Sequence, residues 1–388
     1  MNLLPPSYFV ISIAGTNGKG SCGMMLESIL SQAGYKVGIY SSPHLLRYNE
    51  RIRLYGHEVG DGDICDAFAR IDKARKDISL TYFEFGTLAA MDIFQKNKVD
   101  IAIMEVGMGG RLDAVNMLDA NAALISTIDI DHEKWLGTDR DSIGMEKSGI
   151  FRSMRPAVCA DPHPPASVLE TANLVGANLL RSGIDFNFEI SNQSWSWGSG
   201  ELEYHDLPVP GQQKFQVENA SGVLMILQSI ADNFPVQPDI IIKAMEDFRI
   251  AGRFQVIPGE IPLIFDVAHN RQSAATLAFN ISALPKTGKN ILVLGMLKEK
   301  NHAAFIKELA NCIDFWHLVT LEDERGADAS ELAMTLRSIK PDANIIMSEG
   351  LSQALLSARS DAGSGDRIII SGSFITVGGA LKYFGIES

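Results

Sequence analysis

The chain has 388 residues, 46% of them hydrophobic and 21% charged, a balance that suits a globular protein long enough to bury two cores. Its formal net charge of −13 argues against a nucleic-acid backbone or an anionic membrane surface as partner. No apolar run reaches bilayer length and the N-terminal Met-Asn-Leu-Leu-Pro-Pro has no signal-peptide pattern. Cys22, Cys65, Cys159 and Cys312 are dispersed, so free thiols in a cytoplasmic protein are expected.

In chain order, residues 9–13 (Phe-Val-Ile-Ser-Ile) read as a buried strand. It leads into Gly15-Thr16-Asn17-Gly18-Lys19-Gly20-Ser21, after which Met24, Met25, Ile29 and Leu30 fall at helical spacing. Glycines at 15, 18 and 20 let backbone N–H groups converge on phosphate oxygens, Lys19 adds a point charge, and the helix N-terminus favours anions. A common P-loop places Ser or Thr directly after the Lys, whereas here Gly20 intervenes before Ser21.

Further strands are expected at 37–40, 100–106 and 122–128, near-continuous in apolar residues and separated by helical segments. That pattern indicates a mostly parallel sheet. The stretch 155–210 differs: 186–190, 195–200 and 201–204 alternate around a Gly/Ser turn and read as a small antiparallel edge addition. A helix is expected at 217–231. A second α/β series opens near Pro262, with strands at 263–267, 291–295, 316–321, 344–347 and 367–371 and a solvated helix at 327–337. The expected division is 1–247, a linker at 248–256, and a smaller Rossmann-like domain at 257–388.

Several segments between these elements carry polar residues at strand ends, where parallel sheets bind ligands. They are Ser41-Ser42-Pro43-His44-Leu45-Leu46-Arg47-Tyr48-Asn49-Glu50-Arg51-Ile52, Thr81-Tyr82-Phe83-Glu84-Phe85-Gly86-Thr87 and Glu105-Val106-Gly107-Met108-Gly109-Gly110-Arg111-Leu112-Asp113-Ala114-Val115-Asn116. Then come Asp131-His132-Glu133-Lys134-Trp135-Leu136-Gly137, Glu146-Lys147-Ser148-Gly149-Ile150-Phe151-Arg152, Ala251-Gly252-Arg253-Phe254-Gln255 and Asp266-Val267-Ala268-His269-Asn270. In this order they resemble the bifunctional dihydrofolate synthase/folylpolyglutamate synthase family, folate ligases of the Mur ligase superfamily, over essentially the whole chain.

The resemblance implies an ATP-dependent ligase that activates a pterin-linked carboxylate as an acyl phosphate and joins it to L-glutamate. Its substrates would be dihydropteroate, giving dihydrofolate, and reduced folates, giving polyglutamates. It implies two Mg²⁺ ions, one held by Ser42 and Glu105 and a second with help from His132. It further implies that Lys147 is carbamylated by CO₂ and so turned into an anionic ligand. The loop from Gly15 to Ser21 would hold ATP phosphates, Asn219 the adenine side, Arg253 the phosphates, and Asp266 and His269 the ribose and phosphates after domain closure. Thr81, Tyr82, Phe83, Glu84, Leu112, Asp113 and Ala114 would line a pterin pocket, since aromatics stack on a flat ring and carboxylates accept its N–H groups.

Each assignment has a plainer counterpart: a solvated Lys147, a core His132, a helix-capping Asn219, core aromatics at 82 and 83. Family members also carry a helical segment before the first strand that contributes to the dihydropteroate pocket, whereas here that strand begins near residue 9. This departure bears on dihydropteroate rather than on the nucleotide. The alternatives are a folylpolyglutamate synthase without the first activity and an inactive nucleotide-binding relative. A cell-wall Mur ligase is disfavoured by the absence of room for a uridine-nucleotide domain before residue 9. A monomer with no nucleic-acid or membrane partner is expected.

Overall fold

The protein is described by a computed structural model covering residues 1, 3–191 and 193–386. It divides into two compact units, Met1–Arg249 and Ile250–Ser388.

The first unit is built on an eight-stranded sheet in the order β4-β3-β2-β5-β1-β6-β7-β8. Its strands are β1 (Phe9–Ala14), β2 (Val37–Tyr40), β3 (Ile52–Leu54), β4 (His57–Glu58), β5 (Ile101–Glu105), β6 (Ala122–Ile125), β7 (Pro156–Cys159) and β8 (Asn178–Arg181). The β2-β5-β1-β6-β7-β8 run is parallel, and β3 and β4 add an antiparallel edge at β2. The central strands β5 and β6 are fully buried, as near-continuous Ile, Val, Leu and Ala runs require when helices cover both faces. Those helices are α1 (Lys19–Gln32), α2 (Asp61–Arg75), α3 (Tyr82–Lys96), α4 (Glu133–Leu136), α5 (Arg140–Ser148), α6 (Ala166–Val175), α7 (Gln216–Ser229) and α8 (Pro238–Asp247).

Close packing sets some residue choices directly. A Cβ at Gly38 on β2 would lie 2.6 Å from the ring of the fully buried Phe94 on α3, so only glycine lets the helix approach. Burying Phe94 contributes roughly 2–3 kcal/mol.

Some details of the first unit differ from the sequence reading. The strand expected at 122–128 ends at Ile125, because Ser126 and Thr127 turn aside to bond the neighbouring loop. The antiparallel strands β9 (Asn187–Ile190), β10 (Ser194–Ser199) and β11 (Leu202–Pro208) form their own three-stranded sheet rather than an extension of the main one. Their core is Trp195 and Trp197, both buried. The main sheet's edge is instead extended by β7 and β8, which begin at Pro156 and Asn178 and carry only two or three apolar residues each.

The second unit has a six-stranded sheet ordered β12-β13-β17-β14-β15-β16. The strands are β12 (Gln255–Ile257), β13 (Leu263–Phe265), β14 (Asn290–Leu294), β15 (Phe315–Val319), β16 (Asn344–Ser348) and β17 (Arg367–Ser371), all parallel except β12. The helices α9 (Arg271–Ala283), α10 (His302–Leu309), α11 (Ala329–Ile339), α12 (Leu351–Asp361) and α13 (Phe374–Phe384) alternate with them. The helix read as solvated is amphipathic: α11 buries Leu332, Ala333 and Leu336. Among the described residues, no helix is long and apolar enough to cross a membrane.

Candidate active site

The central strand β1 runs between β5 and β6 and feeds the Gly15–Ser21 loop at the carboxyl edge of the sheet, where α/β folds bind ligands. Gly18 has φ 87°, a conformation other residues adopt at a cost, and precedes α1 directly. The α1 N-terminus has no side-chain cap and no acidic residue in its first turn. Its N–H groups and dipole are therefore poised for an anion. A Cβ at Gly15 would fall 1.9 Å from Ser126 Oγ, and one at Gly18 2.2 Å from Asn219 Oδ1, so the loop is drawn tightly onto its neighbours.

The segment after β6 clasps this loop. Thr16 N donates to Thr127 O at 2.6 Å, and Ser126 Oγ donates to Asn17 O at 2.5 Å. Thr16 Oγ1 donates to Asp129 O at 2.9 Å and accepts from Asp129 N at 3.0 Å. Sequence reasoning missed Ser126, Thr127 and Asp129. The available signal was a run of short polar residues straight after an apolar strand.

Two lysines converge on one carbonyl. Lys19 Nζ donates to Gly15 O at 3.0 Å, and Lys147 Nζ, from α5, donates to the same oxygen at 2.8 Å. Lys147 is 4% exposed, so it is not a solvated surface lysine. Burial, and secondarily the charge of Lys19, lowers its ammonium from 10.5 to about 7. Burial therefore favours the free amine of Lys147 over its ammonium form.

Glu105 ends β5 directly beside β1, paired with Ile13, and is 4% exposed. Its Oε2 accepts the Ser42 N–H at 3.2 Å, which brings the end of β2 to the same edge. His132 is an exposed residue in the loop after β6, with left-handed φ 55°, a strained position often tied to function. Asp113 accepts from Met108 N and Val115 N at 3.0 Å each; burial raises its carboxyl, opposed by these N–H groups.

Other assignments meet structural roles. Asn219 lies within α7 rather than at its cap. Its Nδ2 donates to Gln216 Oε1 at 2.9 Å, and its Oδ1 lies against Gly18 beneath the loop. Glu84 Oε2 accepts Thr81 N at 2.7 Å, and Thr81 Oγ1 accepts Glu84 N at 3.2 Å, a reciprocal cap that starts α3. The Glu84 carboxylate is thus engaged at the helix start. Tyr82 and Leu112 are 62% and 81% exposed, while the Phe83 ring covers Gly107. Ala114 begins a short 3₁₀ turn capped by Asp113.

In the second unit, Arg253 stacks 5.3 Å from the Phe374 ring, and His269 Nδ1 lies 2.9 Å from Val267 O with its ring also beside Phe374. Both Asp266 oxygens accept backbone N–H groups, from Phe254 and Ala268 at 2.8 Å each. Burial raises its carboxyl to about 6, against the pull of Arg253. Asp266 therefore organises the loop after β13.

Among the described residues, no three His, Cys, Asp or Glu side chains converge as a ready-made metal site. That suits Mg²⁺, which is usually held by one or two carboxylates, waters and substrate phosphates rather than by an all-protein cage.

Residues 13–227 match the Mur ligase middle domain and residues 252–374 the Mur ligase glutamate ligase domain. The chain belongs to the Mur ligase family. Within it, the chain is similar to the dihydrofolate synthase/folylpolyglutamate synthase of Escherichia coli (strain K12), 41% identical over 98% of this chain and 88% of that protein. The solved E. coli FolC in complex with DHPP and ADP superposes with a TM-score of 0.93 at 40% identity, covering 99% of this chain and 90% of that one. The Yersinia pestis bifunctional folylpolyglutamate synthase/dihydrofolate synthase complexed with AMPPNP and Mn ion gives 0.91 at 40% identity, over 99% and 91%. The family placement holds for both units, since each matches its own domain model.

Proposed function

We propose that the protein is an ATP-dependent ligase that joins L-glutamate to dihydropteroate and to reduced folates. The observation that carries this reading is the convergence of Lys19 and the buried Lys147 on Gly15 O, at the same sheet edge as Glu105 and Ser42. The full-length similarity to bifunctional relatives supports the same substrates.

The substrate carboxylate attacks the γ-phosphorus of ATP, ADP departs, and the glutamate amine then displaces phosphate from the acyl carbon with loss of a proton. Phosphoryl transfer depends mainly on positioning and charge neutralisation. The glycine loop and the open α1 N-terminus supply backbone donors for phosphates, and Lys19 supplies a charge. The residues at the site fit divalent cations: Glu105 and Ser42 would hold one, His132 would help hold a second, and a carbamylated Lys147 would be a further ligand. Bound Mg²⁺ supplies charge neutralisation of the phosphates.

Carbamylation requires a neutral amine, which adds to CO₂ and releases one proton, leaving an anion. Burial of Lys147 favours the neutral amine, and the adjacent Lys19 charge favours the carbamate anion. Asn219 supports the loop from below, and Arg253, Asp266 and His269 are proposed as nucleotide-side residues of the second unit. Tyr82, Phe83 and Asp113 are proposed for the pterin.

The test is phosphate release from ATP with Mg²⁺ and L-glutamate, comparing dihydropteroate, a reduced folate and no pterin. Stimulation by both establishes the reading. Stimulation by the folate alone restricts the protein to polyglutamylation, and stimulation by neither refutes it.

A further inference from the structure

The segment after β2 contains a buried arginine that the mechanism above does not use. Arg51 is 8% exposed. Its Nε donates to His44 Nδ1 at 2.8 Å, and its guanidinium carbon lies 5.5 Å from the Tyr48 ring centre and 5.2 Å from that of Tyr82. Among the described residues, no carboxylate comes within 4.0 Å of it, and no protein acceptor pairs with its two Nη groups. The adjacent Glu50 is committed elsewhere: its carboxylate accepts the backbone N–H groups of Leu45, Leu46 and Arg47, each at 2.7 Å.

Two aromatic faces shield the guanidinium, while its Nη donors are not among the buried, unpartnered atoms and so stay open to solvent or to a ligand. Its planar fork of donors matches a carboxylate. The position is also informative. Arg51 O accepts the N–H of Ser41, the residue before the Ser42 that bonds Glu105, while its side chain lies against Tyr82. Arg51 thus joins the strand end that carries Ser42 through its backbone and the aromatic wall proposed for the pterin through its side chain.

Building on the proposed function, we infer that Arg51 is the binding residue for the α-carboxylate of folate substrates that already carry a glutamate. Dihydropteroate has one carboxylate, and it is the one activated. A folate presents its γ-carboxylate for activation and leaves its α-carboxylate, three saturated carbons away, to be neutralised. Arg51 is therefore a specificity residue for chain extension and not for the first glutamate.

The test compares wild type with Arg51→Gln and Arg51→Lys on both pterin substrates. A charge-assisted pair of this kind predicts a KM for the reduced folate raised roughly 10- to 100-fold in Arg51→Gln. The kcat/KM for dihydropteroate and the KM for L-glutamate stay within about two-fold of wild type. Arg51→Lys, which keeps the charge, recovers most of the folate affinity. Direct binding of a folate and of its α-carboxamide analogue gives a readout without turnover. Wild type should prefer the acid by the same factor that Arg51→Gln loses, and Arg51→Gln should bind the two alike. Equal losses on both pterin substrates, or a rise confined to L-glutamate, overturn the inference. If Arg51→Gln does not fold, Arg51→Lys and the analogue in wild type decide it: equal binding of acid and amide by wild type refutes it. Absence of wild-type turnover with either pterin refutes the proposed function instead, and the binding comparison separates the two failures.

Discussion

Lys147 Nζ and Gly15 O, 132 positions apart in the chain, are joined by a 2.8 Å hydrogen bond that ties α5 to the glycine loop. An amine buried to this degree beside a second lysine is poorly solvated as a cation, so its value to the protein lies in its chemistry. Lys147→Met replaces it with an apolar chain of similar length. The expected result is loss of pterin-stimulated phosphate release by at least about 10³-fold, the scale of removing an essential charge-stabilising group, with thermal stability unchanged or raised. In wild type, ¹³C-bicarbonate should give a carbamate carbon resonance that the variant lacks. Full turnover by the variant would remove Lys147 from the mechanism.

Gly18 combines a left-handed φ with a close approach, Asn219 Oδ1 lying 2.2 Å from any added Cβ. Gly18→Ala should cost about 1–3 kcal/mol in urea unfolding and weaken ADP binding about tenfold or more. Pairing it with Asn219→Ala removes the side-chain clash but leaves the unfavourable φ. The double variant should therefore recover stability only in part. Full recovery would show that contact, not backbone conformation, sets the requirement.

Glu105→Gln keeps an oxygen able to accept the Ser42 N–H and removes the negative charge. The fold and metal-free ADP binding should persist, with affinity within about two-fold of wild type. The enhancement of nucleotide binding by Mg²⁺ should fall, together with turnover. Calorimetric titration with and without Mg²⁺ measures this directly, and an undiminished Mg²⁺ effect would place the cation elsewhere.

The central architecture was legible because buried parallel strands such as Ile101–Glu105 are apolar without interruption, and because the glycine loop must sit between a strand and a helix. What was not legible depends on contacts distant in sequence. The Ser126–Asn17 clasp and the Lys147–Gly15 bond join residues more than a hundred positions apart, and no local pattern announces them. Glu84 shows the opposite case, a local role that was legible. Thr81-x-x-Glu84 is a capping signature readable in the sequence, and the reciprocal cap at the start of α3 matches it. Arg51 lies in a quoted motif, but neither its burial nor the engagement of Glu50 can be inferred from adjacency.

The environment of Lys147 also predicts a pH dependence of stability. Its amine titrates near 7 in the folded chain and near 10.5 when exposed. Between these values the unfolded chain holds a proton that the folded chain has released, so folding grows more favourable as pH rises. Below about 7 both states are protonated and the cost of burying the cation is fully present; it is relieved through the interval up to about 10.5. In CO₂-free buffer without nucleotide, wild type should therefore gain on Lys147→Met by up to about 1.4 kcal/mol per pH unit between pH 7.5 and 9.5. Urea midpoints of the two proteins across that range measure the slope. A flat difference would mean that Lys147 keeps its proton in the folded state, and would leave carbamylation without its neutral amine.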